Sequence, residues 1–90
     1  MINAHYIANQ WQASTSLEDI PVIDPSSGET YSSIARGTAA DIDAAVSAAR
    51  LAVGETFDGP WGSLSALERS RLLARLGAAV LAHHEELAQI

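Results

Sequence analysis

The sequence predicts an α/β chain made of two short β-hairpins followed by two long helices. Three observations predict it. Two pairs of β-leaning runs, each pair split by turn-forming residues, fill the positions before Gly37. At Gly37-Thr38 the apolar period changes from two residues to 3.6. Residues 65–90, SALERSRLLARLGAAVLAHHEELAQI, then carry the longest continuous apolar seam in the chain.

In chain order, Tyr6-Ile7-Ala8 and Trp11-Gln12-Ala13 read as the first two strands, with Asn9-Gln10 as the tight turn. A two-residue primed turn wants positive φ at both central positions, and Gln10 occupies the place where glycine would cost least. Residues 14–19 are polar and read as a loop. Ile20-Pro21-Val22-Ile23 is a β-branched run, followed by the turn formers Asp24-Pro25-Ser26-Ser27-Gly28-Glu29. Residues 30–36 return as a strand with Tyr31, Ser33 and Ala35 on one face. The opposite face carries Thr30, Ser32, Ile34 and Arg36, so both are only weakly apolar.

The first helix starts with Thr38 as N-cap and Asp41 at the N3 place of an abbreviated capping box. Its seam of Ile42, Val46, Ala49 and Val53 runs to about Val53, where Gly54 can close it in the left-handed conformation. Arg50 complements the dipole at that end. Residues 55–62, ETFDGPWG, form a loop whose Phe57 and Trp61 are expected to plug a gap between the helices and a neighbour.

The second helix begins with a fuller capping box, Ser65 with Glu68. Leu73, Leu76, Val80, Leu87 and Ile90 recur on one face, widened by Leu72 and Ala79, while Glu68, Arg71, Arg75 and Glu85 fall on the other. A single helix from Ala66 onward would span roughly 37 Å, more than a small domain usually needs. No Gly, Asn or Pro closes it. The pattern is still running at Ile90, as expected for the front part of something larger.

Composition narrows the functional classes. Ninety residues permit one small domain, and chains of that size bury only about 60 to 65 per cent of their unfolded surface. There are no cysteines, which removes disulfides, thiolate metal sites and a cysteine nucleophile together and suits a reducing, cytoplasmic setting. Eleven acids against five arginines give a net charge of −6, the wrong sign for nucleic acid or an anionic membrane. The opening MINAHYIANQW lacks a basic region followed by an apolar run, so no secretory signal is read there. No stretch reaches the roughly 20 apolar residues of a membrane span.

Side chains that could carry chemistry have simpler readings. His83-His84-Glu85-Glu86 combines imidazole and carboxylate, but adjacent helical residues point about 100° apart, whereas helical metal ligands are spaced three or four residues. His83 is expected at the seam's border and His84 in solvent. The acids and hydroxyls of residues 24–29 lack the alternating oxygen ligands and distal glutamate of a calcium loop, so they read as a structural turn. Asp41 and Asp43 favour a helix N-terminus rather than forming a catalytic dyad. Ser63, Ser65 and Ser70 have no base held beside them. No glycine-rich fingerprint for a nucleotide is present.

Five local matches, in order, carry a resemblance over nearly the whole chain. They are Tyr6-Ile7-Ala8-Asn9-Gln10-Trp11, the run from Val22 and Ile23 through Asp24-Pro25 to Gly28-Glu29, the run from Asp41-Ile42-Asp43 to Arg50, Gly59-Pro60-Trp61, and Glu68-Arg69 with Leu73 followed by Glu85-Glu86-Leu87-Ala88. Together they resemble the N-terminal region of the NAD(P)-dependent aldehyde dehydrogenase superfamily, with Gln10 standing where the family has glycine. The resemblance implies that residues 1–90 are an incomplete piece of a Rossmann-like coenzyme-binding domain. In the complete enzyme NAD or NADP would be the cofactor, and a cysteine, a glutamate and nucleotide loops beyond this stretch would convert aldehyde to carboxylic acid. This stretch would then hold no catalytic residue, bind no cofactor alone, and have the rest of the chain or homo-oligomer subunits as partners. One site maps onto it by resemblance, the main-chain carbonyl of Ile23 as a ligand to a structural monovalent cation. The alternative from another class is a stand-alone helical interaction or dimerisation module, against which the seam's lack of sustained flanking charge pairs argues.

Overall fold

A computed structural model describes residues 4–90; residues 1–3, which enter the reading of the N-terminus as free of a signal, lie outside it. The elements are β1 (Ala4–Ile7), β2 (Gln10–Ala13), β3 (Asp19–Ile23), β4 (Thr30–Ala35), α1 (Ala39–Val53), α2 (Ala66–Ala82) and α3 (His84–Gln89). This is the mixed strand-and-helix content that the sequence predicts. The strands form two separate antiparallel pairs, β1 with β2 and β3 with β4. The residues divide into two units, one reaching to Leu51 and one running from Ala52 to Ile90.

In the first hairpin Ile7 pairs with Gln10 and Tyr6 with Trp11, so the two-residue turn is Ala8-Asn9, one position earlier than expected. Both turn residues have positive φ, 52° and 62°, the sign a primed turn requires. Asn9 tolerates that conformation, and Gln10 is an ordinary strand residue. The steric cost therefore falls on Ala8, not on Gln10. Across the ladder the rings of Tyr6 and Trp11 meet edge to face with centroids 5.2 Å apart, and the Tyr6 hydroxyl donates to Asn9 Oδ1 at 2.5 Å.

In the second hairpin β3 starts at Asp19 and β4 stops at Ala35, each one residue from the expected limit. Its register changes between Val22, which faces Ser32, and Ile23, which faces Thr30. The connecting turn is closed by its own polar groups. The Asp24 N–H donates to the Glu29 carbonyl at 2.8 Å and the Gly28 N–H to the Asp24 carbonyl at 2.7 Å. Asp24 Oδ1 accepts from the Ser26 N–H at 2.8 Å and the Ser26 hydroxyl at 2.7 Å, and Gly28 supplies a φ of 75°. This is the structural turn that the sequence indicates.

Helix α1 begins and ends where its signals place it. The Thr38 N–H donates to Asp41 Oδ2 at 2.9 Å and the Asp41 N–H to Thr38 Oγ1 at 3.3 Å, a reciprocal cap. Gly54, at φ 82°, follows Val53. In the second unit the chain turns back at once: Gly59 N–H donates to the Val53 carbonyl at 3.0 Å, and Trp61 N–H to the Ala52 carbonyl at 2.8 Å. These bonds satisfy carbonyls that a helix end leaves free. The approach is so close that a Cβ on Gly62 would lie 1.8 Å from the Val53 carbonyl oxygen. Phe57, with φ 57°, is 69% exposed and fills no gap among the described residues. Trp61 is half-buried.

Helix α2 opens on the complete capping box. The Glu68 N–H donates to Ser65 Oγ at 3.1 Å, and the Ser65 N–H to Glu68 Oε2 at 2.7 Å. It does not run on to Ile90. At His83 the backbone leaves helical geometry, with φ −111° and ψ 18°, and a separate six-residue α3 follows. A side-chain bond accompanies the break. His84 Nδ1 donates to the Leu81 carbonyl at 2.9 Å, the acceptor that the Glu85 N–H would use in a continuous helix.

Among the described residues the only buried hydrophobic side chain is Ile7. No residue of α2 or α3 is buried. Leu73, Leu76, Val80 and Leu87 are 59%, 59%, 50% and 50% exposed, and Ile42 on α1 is 61% exposed. The helical periods predicted from the sequence exist, yet the faces they define meet solvent.

Candidate functional site

The one buried polar side chain among the described residues is Asp41, in the first turn of α1. Its position follows from the N-cap: Thr38 starts the helix, which sets Asp41 three residues on, facing the free N–H groups of that end. Its carboxylate gathers donors from distant parts of the first unit. Besides the Thr38 N–H it accepts from Thr38 Oγ1 at 3.1 Å, Ser14 Oγ at 3.0 Å and the Thr15 N–H at 3.3 Å. The Thr15 and Thr38 hydroxyls also bond to each other. From β1, His5 Nε2 comes to 3.5 Å of Asp41 Oδ2 without a hydrogen bond.

These donors decide what the carboxylate can do. The Thr38 N–H, helped by Ser14, Thr15 and the Thr38 hydroxyl, pulls the Asp41 pKa from 3.8 to about 2 against the opposing effect of burial. A group ionised throughout the neutral range with its oxygens occupied is no general base. Asp41 acts as a clamp joining the segment after β2 to the start of α1, with His5 of β1 beside it. An open groove of about 390 Å3 runs beside it, walled by Tyr6, Ile7, Ile42 and Ala45.

Ile23 ends β3 at the register change, with its side chain 54% exposed. A ladder is disrupted at such a shift, which is where a main-chain carbonyl can turn to another partner. His83 and His84 sit at the break between α2 and α3, both largely exposed. His83 Nδ1 lies 3.3 Å from Glu86 Oε2 and His84 Nε2 lies 3.9 Å from Glu85 Oε2. Asp43 is exposed on α1, and Ser65 is occupied as a cap. Of the candidate residues singled out from the sequence, the structure thus pairs the others only with near neighbours in the chain and brings Asp41 alone together with residues distant in sequence. The places of His5, Ser14 and Thr15 around it were not foreseen from the sequence. Only the Thr38-x-x-Asp41 spacing signalled any part of the cluster.

The profile of the aldehyde dehydrogenase family matches residues 11–90. The chain belongs to the aldehyde dehydrogenase family. The Arabidopsis thaliana protein named aldehyde dehydrogenase family 2 member B4, mitochondrial, is 42% identical over all 90 residues, which make up 15% of its own length. The Antirrhinum majus protein named benzaldehyde dehydrogenase, mitochondrial, is 38% identical over 93% of this chain and 15% of its own. A Burkholderia cenocepacia crystal structure assigned to the aldehyde dehydrogenases superposes with a TM-score of 0.78 at 53% identity, over 97% of this chain and 18% of that one. The chain therefore spans about one-seventh of the length of the curated relatives it matches. The motifs that carried the resemblance fall on whole elements: the β1–β2 hairpin, the β3–β4 turn, α1, the loop before α2, and the two ends of α2 and α3.

Proposed function

We propose that this chain is the N-terminal part of an NAD(P)-dependent aldehyde dehydrogenase and serves that enzyme as scaffold rather than as chemistry. The observation that carries this reading is the uncovered apolar faces of α1 and α2 in a chain spanning 15% of a relative's length. Faces so patterned belong against a neighbouring layer. The layer we infer is the sheet of a Rossmann-like coenzyme-binding domain, of which residues 1–90 are an incomplete piece. Oxidation of an aldehyde to a carboxylic acid, with NAD or NADP as cofactor, then rests on parts of the enzyme beyond this stretch.

We infer that the nucleotide is held by other parts of the enzyme, a reading supported by two of the turn glycines. The space a side chain would take at Gly54 is filled by Asp58 and Gly59, and at Gly62 by the Val53 carbonyl. Neither glycine therefore opens a cradle for phosphate. Gly28 has open space, but it lies between Asp24 and Glu29, whose charges repel phosphate. For the monovalent cation, a carbonyl such as that of Ile23 is the hard oxygen donor such an ion takes. It would supply one ligand, and other segments of the enzyme the rest.

As partners we infer the remainder of the polypeptide and homo-oligomer subunits, and as compartment the cytoplasm. No helix of the described residues is long and apolar enough to cross a membrane. The second reading, a stand-alone helical dimerisation module, draws on the same exposed α2 face. The assay that tests scaffold against chemistry is NAD(P)H absorbance with the purified 90-residue chain and aldehydes: a flat trace is expected, and turnover above a boiled control contradicts the proposal. The DNA downstream separates the two readings. An open frame encoding a glycine-rich nucleotide loop and a later cysteine supports the enzyme part, and a stop codon after Ile90 supports the module.

A further inference from the structure

We draw no further inference here: the strongest candidate, the open groove between β1 and the start of α1 where His5 Nε2 is buried without a hydrogen-bond partner 3.5 Å from Asp41, belongs to the Asp41 cluster already described, whose carboxylate is taken up by Ser14, Thr15 and Thr38, and nothing in the structure shows what covers it.

Discussion

Asp41 is where a single residue carries a long-range link, because its carboxylate ties the Ser14-Thr15 segment to the start of α1. Its contribution has a definite pH dependence. The folded pKa, about 2, lies below the ordinary 3.8, so the folded state binds fewer protons at Asp41 than the unfolded state does between those values. The stabilisation is therefore complete above about pH 4 and is lost as pH falls through 2. Following the Asp41 carboxyl carbon by NMR should show protonation well below the ordinary aspartate range. Asp41→Asn should abolish that transition, and a midpoint near 3.8 would contradict the clamp. Ala8 is a second residue under local control. An alanine at φ 52° carries a left-handed cost of roughly 1 kcal/mol that asparagine largely escapes. Ala8→Asn should therefore raise the stability of the proposed complete enzyme by up to about 1 kcal/mol in denaturant unfolding. A loss of stability would show that the Ala8 side chain matters more than its backbone.

At the scale of elements, what was legible in the sequence were the signals read over three or four neighbouring residues. Thr38 with Asp41 and Ser65 with Glu68 mark both helix starts, and Gly54 marks the first helix end, because caps are local hydrogen-bond geometry. The turn at Asp24 to Glu29 was equally local. The first turn falls one residue earlier than the sequence suggests, because Asn9 rather than Gln10 takes the second left-handed position. The break at His83 was not legible because the apolar period continues across it, and the ring bond of His84 that accompanies it has no sequence signature. The Asp41 cluster was only partly legible, since no local pattern links His5 or Ser14 to a residue more than 20 positions away. For the caps, Ser65→Ala should cost about 1 kcal/mol of α2 stability. Circular dichroism would register it as lost helicity, and unchanged helicity would mean that α2 does not depend on its cap.

At the scale of the whole molecule, the decisive contrast lies between this chain and the enzyme proposed to contain it. Leu76 is 59% exposed here, so in the isolated chain at concentrations low enough to keep it monomeric Leu76→Ala should change stability by no more than about 0.5 kcal/mol, as at other surface positions. In the complete enzyme the same change should cost about 2 to 5 kcal/mol, the range for a buried leucine. It should leave the catalytic rate intact; a lower rate with an unchanged melting temperature would place Leu76 nearer the chemistry than proposed. The same contrast predicts how the chain behaves alone. Two-stranded hairpins are marginal in water, and an apolar helical face left uncovered promotes association. The most direct measurement is thermal unfolding of the 90-residue chain by circular dichroism at several concentrations, alongside sedimentation. A broad transition that shifts with concentration, from a partly helical and self-associating species, is the predicted result. A sharp, concentration-independent transition from a monomer would contradict it, because the exposed face of Leu73, Leu76, Val80 and Leu87 would then need no cover.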